Sequence, residues 1–379
     1  MQKALRFIKR EPVLCAAALA ALLSMCFVPP SAEYLSYLDF RVLSILFSLM
    51  AVVEGAAGLG LFRLLAQRLL LRAGSQKKLI AVLTMLCFWG SMLITNDVAL
   101  LTFVPLSLLL LRPAGQRAVI FTVTLQTIAA NLGSMLTPVG NPQNLYLYSH
   151  YQMDAGSFFA LLLPVGGASL LLILAALLFA PAGSLTLRSE EAPRAPSPAL
   201  TVSYCLLFGF CLLGVFRVVP YEGVLAAVAA GVFVLDRSVY RRLDYGLLAT
   251  FACFFVFVGN LGNVEAVKAF LASAMEGREV LLSVLLSQGI SNVPAALMLS
   301  GFTERADALL LGTNVGGLGT LIASLASLIS FRLYARSEGG HPGKYLLWFT
   351  LANLAFLALL LPLALFLGER AVAKCPLPW

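Results

Sequence analysis

The sequence predicts an all-α polytopic membrane protein made of two inverted repeats, each with a re-entrant helical hairpin and a broken transmembrane helix. Three observations predict it. Hydrophobic residues make up 60% of the 379, charged residues only 12%, and the mean hydropathy is +0.92; a soluble domain carries about a quarter charged residues. The apolar residues come in long runs, several reaching the roughly 20 residues that cross a bilayer core as a helix. Polar tracts rich in Asn, Gly and Pro interrupt these runs at matching places in the two halves of the chain.

Spans are expected at 12–29, 40–58, 118–148, 157–180, 200–216, 218–235, 243–262, 308–331 and 346–367. The start, MQKALRFIKR followed by an apolar stretch from Pro12 to Val28, resembles a signal peptide, but a retained first span fits a chain that is polytopic throughout. The stretch 59–72 places Arg63, Arg68 and Arg72 among leucines and reads as an interfacial amphipathic helix, with 264–276 as its counterpart.

Segment 79–111 as one helix would be about 50 Å long, against an apolar core of about 30 Å, while two full spans need about 40 residues and a turn. Thr95-Asn96-Asp97 lies at its middle, so two half-length helices meeting at a polar tip are expected. Segment 280–302 carries Ser291-Asn292-Val293-Pro294 at its centre, a helix-start signal with proline in the first turn, and reads as a second hairpin. The Pro- and Ser-rich stretch 181–199 is a linker between a first half, 1–180, and a second half, 200–379.

The formal net charge of +8 is spread over short loops, which is the pattern of orientation signals and not of a nucleic-acid surface. With both hairpins re-entrant, the bias puts the N-terminus and linker inside the cytoplasmic (inner) membrane and the C-terminus outside. The 7 cysteines lack metal-ligand spacing, and six fall in apolar runs as small buried side chains. His150 and His341 are expected in loops and form no catalytic pair, so the residues do not describe an enzyme. The glycine-rich stretch 312–320 lacks the lysine of a phosphate loop, and no cofactor pattern appears elsewhere.

The halves repeat one order: span, amphipathic stretch, hairpin, interrupted span. Aligned without gaps, NLGSMLTPVGNPQNL (131–145) and NVGGLGTLIASLASL (314–328) match Asn131 to Asn314, Gly133 to Gly316, Thr137 to Thr320 and Leu145 to Leu328. The span at 40–58 is the second crossing and its partner at 243–262 the seventh, which makes them antiparallel. Inverted repeats with broken helices characterise many secondary transporters, whose sites lie where the breaks meet.

A helix broken inside a membrane exposes N–H and C=O groups, which is tolerated only within protein or around a wet cavity. Each break presents a helix N-terminus with partial positive charge. Asn141-Pro142 reads as an N-cap followed by proline, and Asn292 as an N-cap two residues before Pro294. Four such termini would hold an anion without arginine, and no Lys or Arg sits deep in these segments. The amides of Asn96, Asn131, Asn144, Asn292 and Asn314 would suit a small cation; the plainer reading is close helix packing. Asp97 and Glu54 are the two acids placed within the membrane, where a carboxylate costs about 2.5–3.5 kcal/mol. Asp97 would bind sodium, carry a proton or cap the second hairpin arm. Glu54 would couple in the same way or pair with a neighbouring helix.

LITNDVALLTFVPL (93–106), NLGSMLTPVGNPQNL, ISNVPAALML (290–299) and GTNVGGLGTLIASLASLI (312–329) together resemble the ion transporter superfamily. Within it they are similar to citrate-transporter-like anion permeases, which include divalent-anion/sodium symporters, arsenite permeases and a sodium/proton antiporter branch. The resemblance implies a secondary active transporter of a small anion, a carboxylate or inorganic oxyanion, coupled to sodium or protons. It also implies an elevator-like alternating-access movement and a homodimer. The alternative within the same resemblance is a cation/proton antiporter or an arsenite-type metalloid efflux permease. Carried onto this chain, the site would comprise Thr95, Asn96, Asp97, Asn131, Thr137, Gly140, Asn141, Asn144, Ser291, Asn292, Asn314, Gly317, Thr320 and Ser324, with sodium at Asn96, Asp97 and Asn292. The dicarboxylate branch has Ser-Asn-Thr at both tips. Here the first is Thr-Asn-Asp, nearer the arsenite and antiporter branches, and the second is Ser-Asn-Val.

Overall fold

A computed structural model describes residues 11–60, 74–183 and 197–374, and their regular structure is entirely helical. The first half runs α1 (Pro12–Ser24), a single turn α2 (Tyr34–Tyr37), α3 (Phe40–Gly58), α4 (Gln76–Ile94), α5 (Asn96–Leu111), α6 (Gln116–Ser134), α7 (Pro142–His150) and α8 (Ala155–Leu178). The second runs α9 (Pro198–Val215), α10 (Tyr221–Asp236), α11 (Tyr245–Gly262), α12 (Glu265–Met275), α13 (Glu279–Ile290), α14 (Asn292–Ser300), α15 (Ala306–Val315), α16 (Leu325–Ala335) and α17 (Pro342–Lys374).

The polar residues that begin these helices explain where they begin. The Asp39 carboxylate accepts from Val42 N at 2.9 Å ahead of α3, and Asp244 accepts from Leu247 N at 3.0 Å ahead of α11, each satisfying one of the donors a helix start leaves free. Asn141 does the same for α7, accepting from Asn144 N at 2.9 Å with Pro142 at the first helical position.

The helices gather into two packed groups. One holds α1, α3, α9, α10 and α11; the other holds both hairpins (α4–α5 and α13–α14), both broken helices (α6–α7 and α15–α16), α8 and α17. The groups meet where α3 packs on α7 and α11 on α14.

Several expectations change. Among the described residues, 8 helices are long and apolar enough to cross a membrane, and these include both arms of the first hairpin. Those arms are 19 and 16 residues long, longer than the half-length arms expected. The reason is that α4 starts in the polar Gln76-Lys77-Lys78, so part of its length lies outside the apolar core. The second hairpin has arms of 12 and 9 residues, as expected. The first expected span shortens to the 13 residues of α1, about 20 Å, because the chain turns after Ser24 and Pro29-Pro30 cannot continue a helix. Residues 61–72 of the first amphipathic stretch and 184–196 of the linker lie outside the described residues, whereas α12 forms the second amphipathic stretch. His150 closes α7 instead of lying in a loop and stacks on Tyr146 at 5.2 Å. Of the cysteines, Cys87 and Cys211 are buried as expected, but Cys26, in the turn after α1, and Cys205, on α9, are exposed, since the sequence places a residue along the chain and not on a face.

Candidate functional site

The two hairpin tips are built alike. Thr95 has φ 68° and ψ 153°, and Ser291 has φ 76° and ψ 153°. This backbone region belongs almost wholly to glycine, and a side chain there costs about 1–3 kcal/mol, sustained only where the surroundings over-determine it. The surroundings are the breaks. Asn96 N donates to Gly140 O at 3.1 Å, and Asn292 N donates to Ala323 O at 3.0 Å. Thr137 Oγ1 donates to Met92 O at 2.6 Å, and Thr320 Oγ1 donates to Gln288 O at 2.9 Å. The tip residues match at one offset (Met92 with Gln288, Asn96 with Asn292) and the break residues at another (Thr137 with Thr320, Gly140 with Ala323). Each tip is thus hydrogen-bonded to the interrupted helix of its own half.

Between the breaks lies a buried network of amides and hydroxyls. Asn131 accepts at Oδ1 from Asn96 Nδ2 (3.1 Å) and from Ser324 Oγ (3.1 Å), and its Nδ2 donates to Gly317 O (3.4 Å) and Ser327 Oγ (3.5 Å). Asn314 sits across from it. Its Nδ2 donates to Asn144 Oδ1 at 2.6 Å and its Oδ1 accepts from Asn141 Nδ2 at 3.2 Å. Each half therefore inserts its central Asn into the break of the other. Close approach demands glycine here: a Cβ on Gly140 would stand 2.1 Å from Ser134 O, and one on Gly317 3.0 Å from Asn292 Nδ2.

The structure brings Asn96, Asn131, Asn141, Asn144, Asn314 and Ser324 into this one network, with Asn292 and Gly317 beside it. Thr95, Thr137, Gly140, Ser291 and Thr320 shape its edges. Asn292 is not an N-cap: Ser291 holds that position, without a side-chain hydrogen bond, and Asn292 is the first helical residue. Asp97 is not the cap of α5 either. Thr95 holds that position and Asp97 lies in the first turn, because the positive-φ residue turns the chain before the helix begins.

Asp97 stands apart from the amides. Its N–H donates to Asn96 Oδ1 at 3.0 Å, but its carboxylate faces a cavity of about 200 Å3 shared with Val293, Pro294 and Thr250. Val293 is its counterpart at the second tip, so the two tips wall one cavity from either side. Asp97 Oδ1 is buried and accepts no hydrogen bond. Leu325, Leu328 and Ile329 supply apolar wall, and Glu11, Asp244 and Arg332 also line the cavity. Glu54 is elsewhere: it pairs with Arg242 Nε at 2.9 Å and does not line this cavity. Among the described residues no three His, Cys, Asp or Glu gather as a metal site.

Two residues escape a reading of the chain alone. Gln288 accepts from Thr320 N at 2.8 Å and donates to Gly316 O and Leu318 O, both at 3.0 Å, so it braces the second break. A glutamine three residues before the Ser291 tip was the available signal. Ser327, the counterpart of Asn144, becomes visible only when the repeat is carried residue by residue.

Helices broken around a buried polar network, with a carboxylate facing the cavity beside it, define a membrane transport protein. The chain belongs to the citrate transporter family, whose sequence profile matches residues 5–309. The inner membrane protein YbiR of Escherichia coli (strain K12) is 31% identical over 303 residues, covering 78% of this chain and 80% of its own. The uncharacterized transporter MJ0456 of Methanocaldococcus jannaschii is 30% identical over 329 residues, covering 83% and 86%. The silicon efflux transporter LSI3 of Oryza sativa subsp. japonica is 33% identical over 150 residues, 39% of this chain and 30% of its own. The chain is thus a multi-pass membrane transporter and not an enzyme.

Proposed function

We propose that this chain is a secondary active transporter that moves a small anion, a carboxylate or an inorganic oxyanion, with a proton carried by Asp97. The observation that carries this reading is the shared cavity walled by Asp97 at one tip and Val293 at the other. Two helix N-termini, each with partial positive charge, contribute to the cavity wall. The α5 terminus has its own carboxylate, whereas the α14 terminus has only Val293, leaving its partial positive charge for a bound anion. A proton suits Asp97 better than sodium does. Asp97 Oδ1 is buried without a hydrogen-bond partner, which a proton would satisfy, whereas a hard cation needs several oxygen ligands and would have to draw on Glu11, Asp244 and Thr250 in competition with Arg332.

Alternating access is supported by the paired geometry of the halves, read as inverted repeats. Tyr334 at the end of α16 donates to Gln116 Oε1 at the start of α6, while Tyr151, just past α7, donates to Ser300 O at the end of α14 and to Thr303 O just beyond it. The broken helices then run in opposite senses. On this reading the hairpin-bearing group slides against the group of α3 and α11, within a homodimer.

Proteoliposomes offered a panel of carboxylates and oxyanions should accumulate at least one of them under an imposed pH gradient and not under sodium alone. Accumulation driven by sodium alone would sink proton coupling. A second reading, efflux of an uncharged metalloid hydroxide, is favoured by the carboxylate in the cavity, which repels anions, and by the likeness to a silicon efflux transporter. Movement of silicic or arsenous acid with none of the anions would establish it instead.

The charge bias supports an inner-membrane location with the N-terminus and linker inside and the C-terminus outside. Ser189→Cys in a cysteine-free background should then react with an impermeant maleimide only from the cytoplasmic face. Labelling confined to the outside would reverse the topology.

A further inference from the structure

A second, larger cavity lies away from the breaks. It is a groove of about 570 Å3 between the first turns of α6, the end of α8 and the start of α17. One end is basic, with Arg117, His341 and Lys344; beyond it the walls are apolar down to Ile128 and Phe356. The groove has no part in the proposed transport cycle. Its form nonetheless fits a particular ligand.

The basic end is unspent. Arg112 nearby is paired with Glu338, and Gln116 is engaged by Tyr334 and Gly339, but neither Arg117 nor Lys344 forms an ion pair among the described residues. From Arg117 to Ile128 the groove follows α6 for roughly 16 Å, close to half of an apolar core of about 30 Å. Partway along, Thr124 is 5% exposed, and its Oγ1 is buried without a hydrogen-bond partner. A purely apolar guest would leave that hydroxyl unsatisfied. Phe179 and Trp348 at the rim are 80% and 63% exposed, so the groove opens sideways.

We infer that this groove binds one anionic phospholipid, with its phosphate on Arg117 and Lys344, an ester oxygen accepting from Thr124, and an acyl chain laid against Ile128 and Phe356. Basic pockets between transmembrane helices select anionic headgroups by charge, and the single hydroxyl sits where a headgroup gives way to a chain. A second copy of this chain fits less well, since a two-fold contact would set these unpaired cations against their own equivalents.

Trp348 provides the probe. With Trp89 and Trp379 replaced by Phe, the protein is reconstituted into vesicles carrying brominated phosphatidylglycerol or brominated phosphatidylcholine. Half-quenching of Trp348 is expected at an about tenfold lower mole fraction of the anionic lipid. R117Q/K344Q should erase that preference, and Thr124→Val should weaken quenching by both lipids. Lys77→Gln, on the same side but outside the groove, should change nothing. Equal quenching by the two lipids, or a preference that survives R117Q/K344Q or falls equally with Lys77→Gln, overturns the proposal. So does quenching by neither lipid together with cross-linking of Trp348→Cys between two copies.

Discussion

Asp97→Asn is expected to abolish pH-driven accumulation while leaving solute exchange across the membrane near its normal rate. For an electroneutral cycle of one proton per solute, one unit of imposed pH difference supplies about 1.4 kcal/mol, enough to hold a roughly tenfold solute gradient. The variant should hold none, because an amide of the same shape cannot take up and release the proton. Exchange at equal pH should continue, since Asp97 shares no side-chain hydrogen bond with the central network and its Oδ1 has no partner to lose. The N–H that donates to Asn96 Oδ1 belongs to the backbone and persists. Counterflow of labelled solute, with and without an imposed gradient, separates the two effects. Wild-type accumulation by Asp97→Asn would remove Asp97 from coupling and return attention to Glu54, whose pairing with Arg242 would then need another explanation.

Gly140→Ala should produce the largest structural loss. Its Cβ would stand 2.1 Å from Ser134 O, and a backbone carbonyl cannot rotate away as a side chain can. Overpacking of this kind costs about 1–3 kcal/mol and occasionally more. Gly140 O also accepts from Asn96 N, so displacing it pulls on the strained turn at Thr95. The variant is expected to lose transport and to aggregate at a clearly lower temperature in detergent. Gly167→Ala is the matched control: it too is a glycine beside the same bundle, with nothing within 4 Å of the added carbon. It lies inside α8, where alanine is the better helix former by about 1 kcal/mol. Equal thermal behaviour in the two variants would mean that the break is looser than the geometry describes.

The chain alone determined the class of this protein, because hydropathy and the placing of charges are properties of the residues themselves. Asn141-Pro142 specified its own helix start, since a cap and a preset φ act within one turn. The tips and breaks were legible as polar interruptions that a bilayer tolerates only inside protein. Tertiary structure decided what faced what. Asn96 and Asp97 are neighbours in sequence, yet one enters the amide network and the other the cavity, because adjacent residues on a helix point to different sides. Glu54 and Asp97 looked alike as intramembrane acids until Arg242, far along the chain, was found against the first and an apolar wall against the second. The positive φ of Thr95 and Ser291 carried no glycine to announce it. It is sustained by hydrogen bonds from the next residue to carbonyls in the breaks, and such over-determination exists only once the helices are packed.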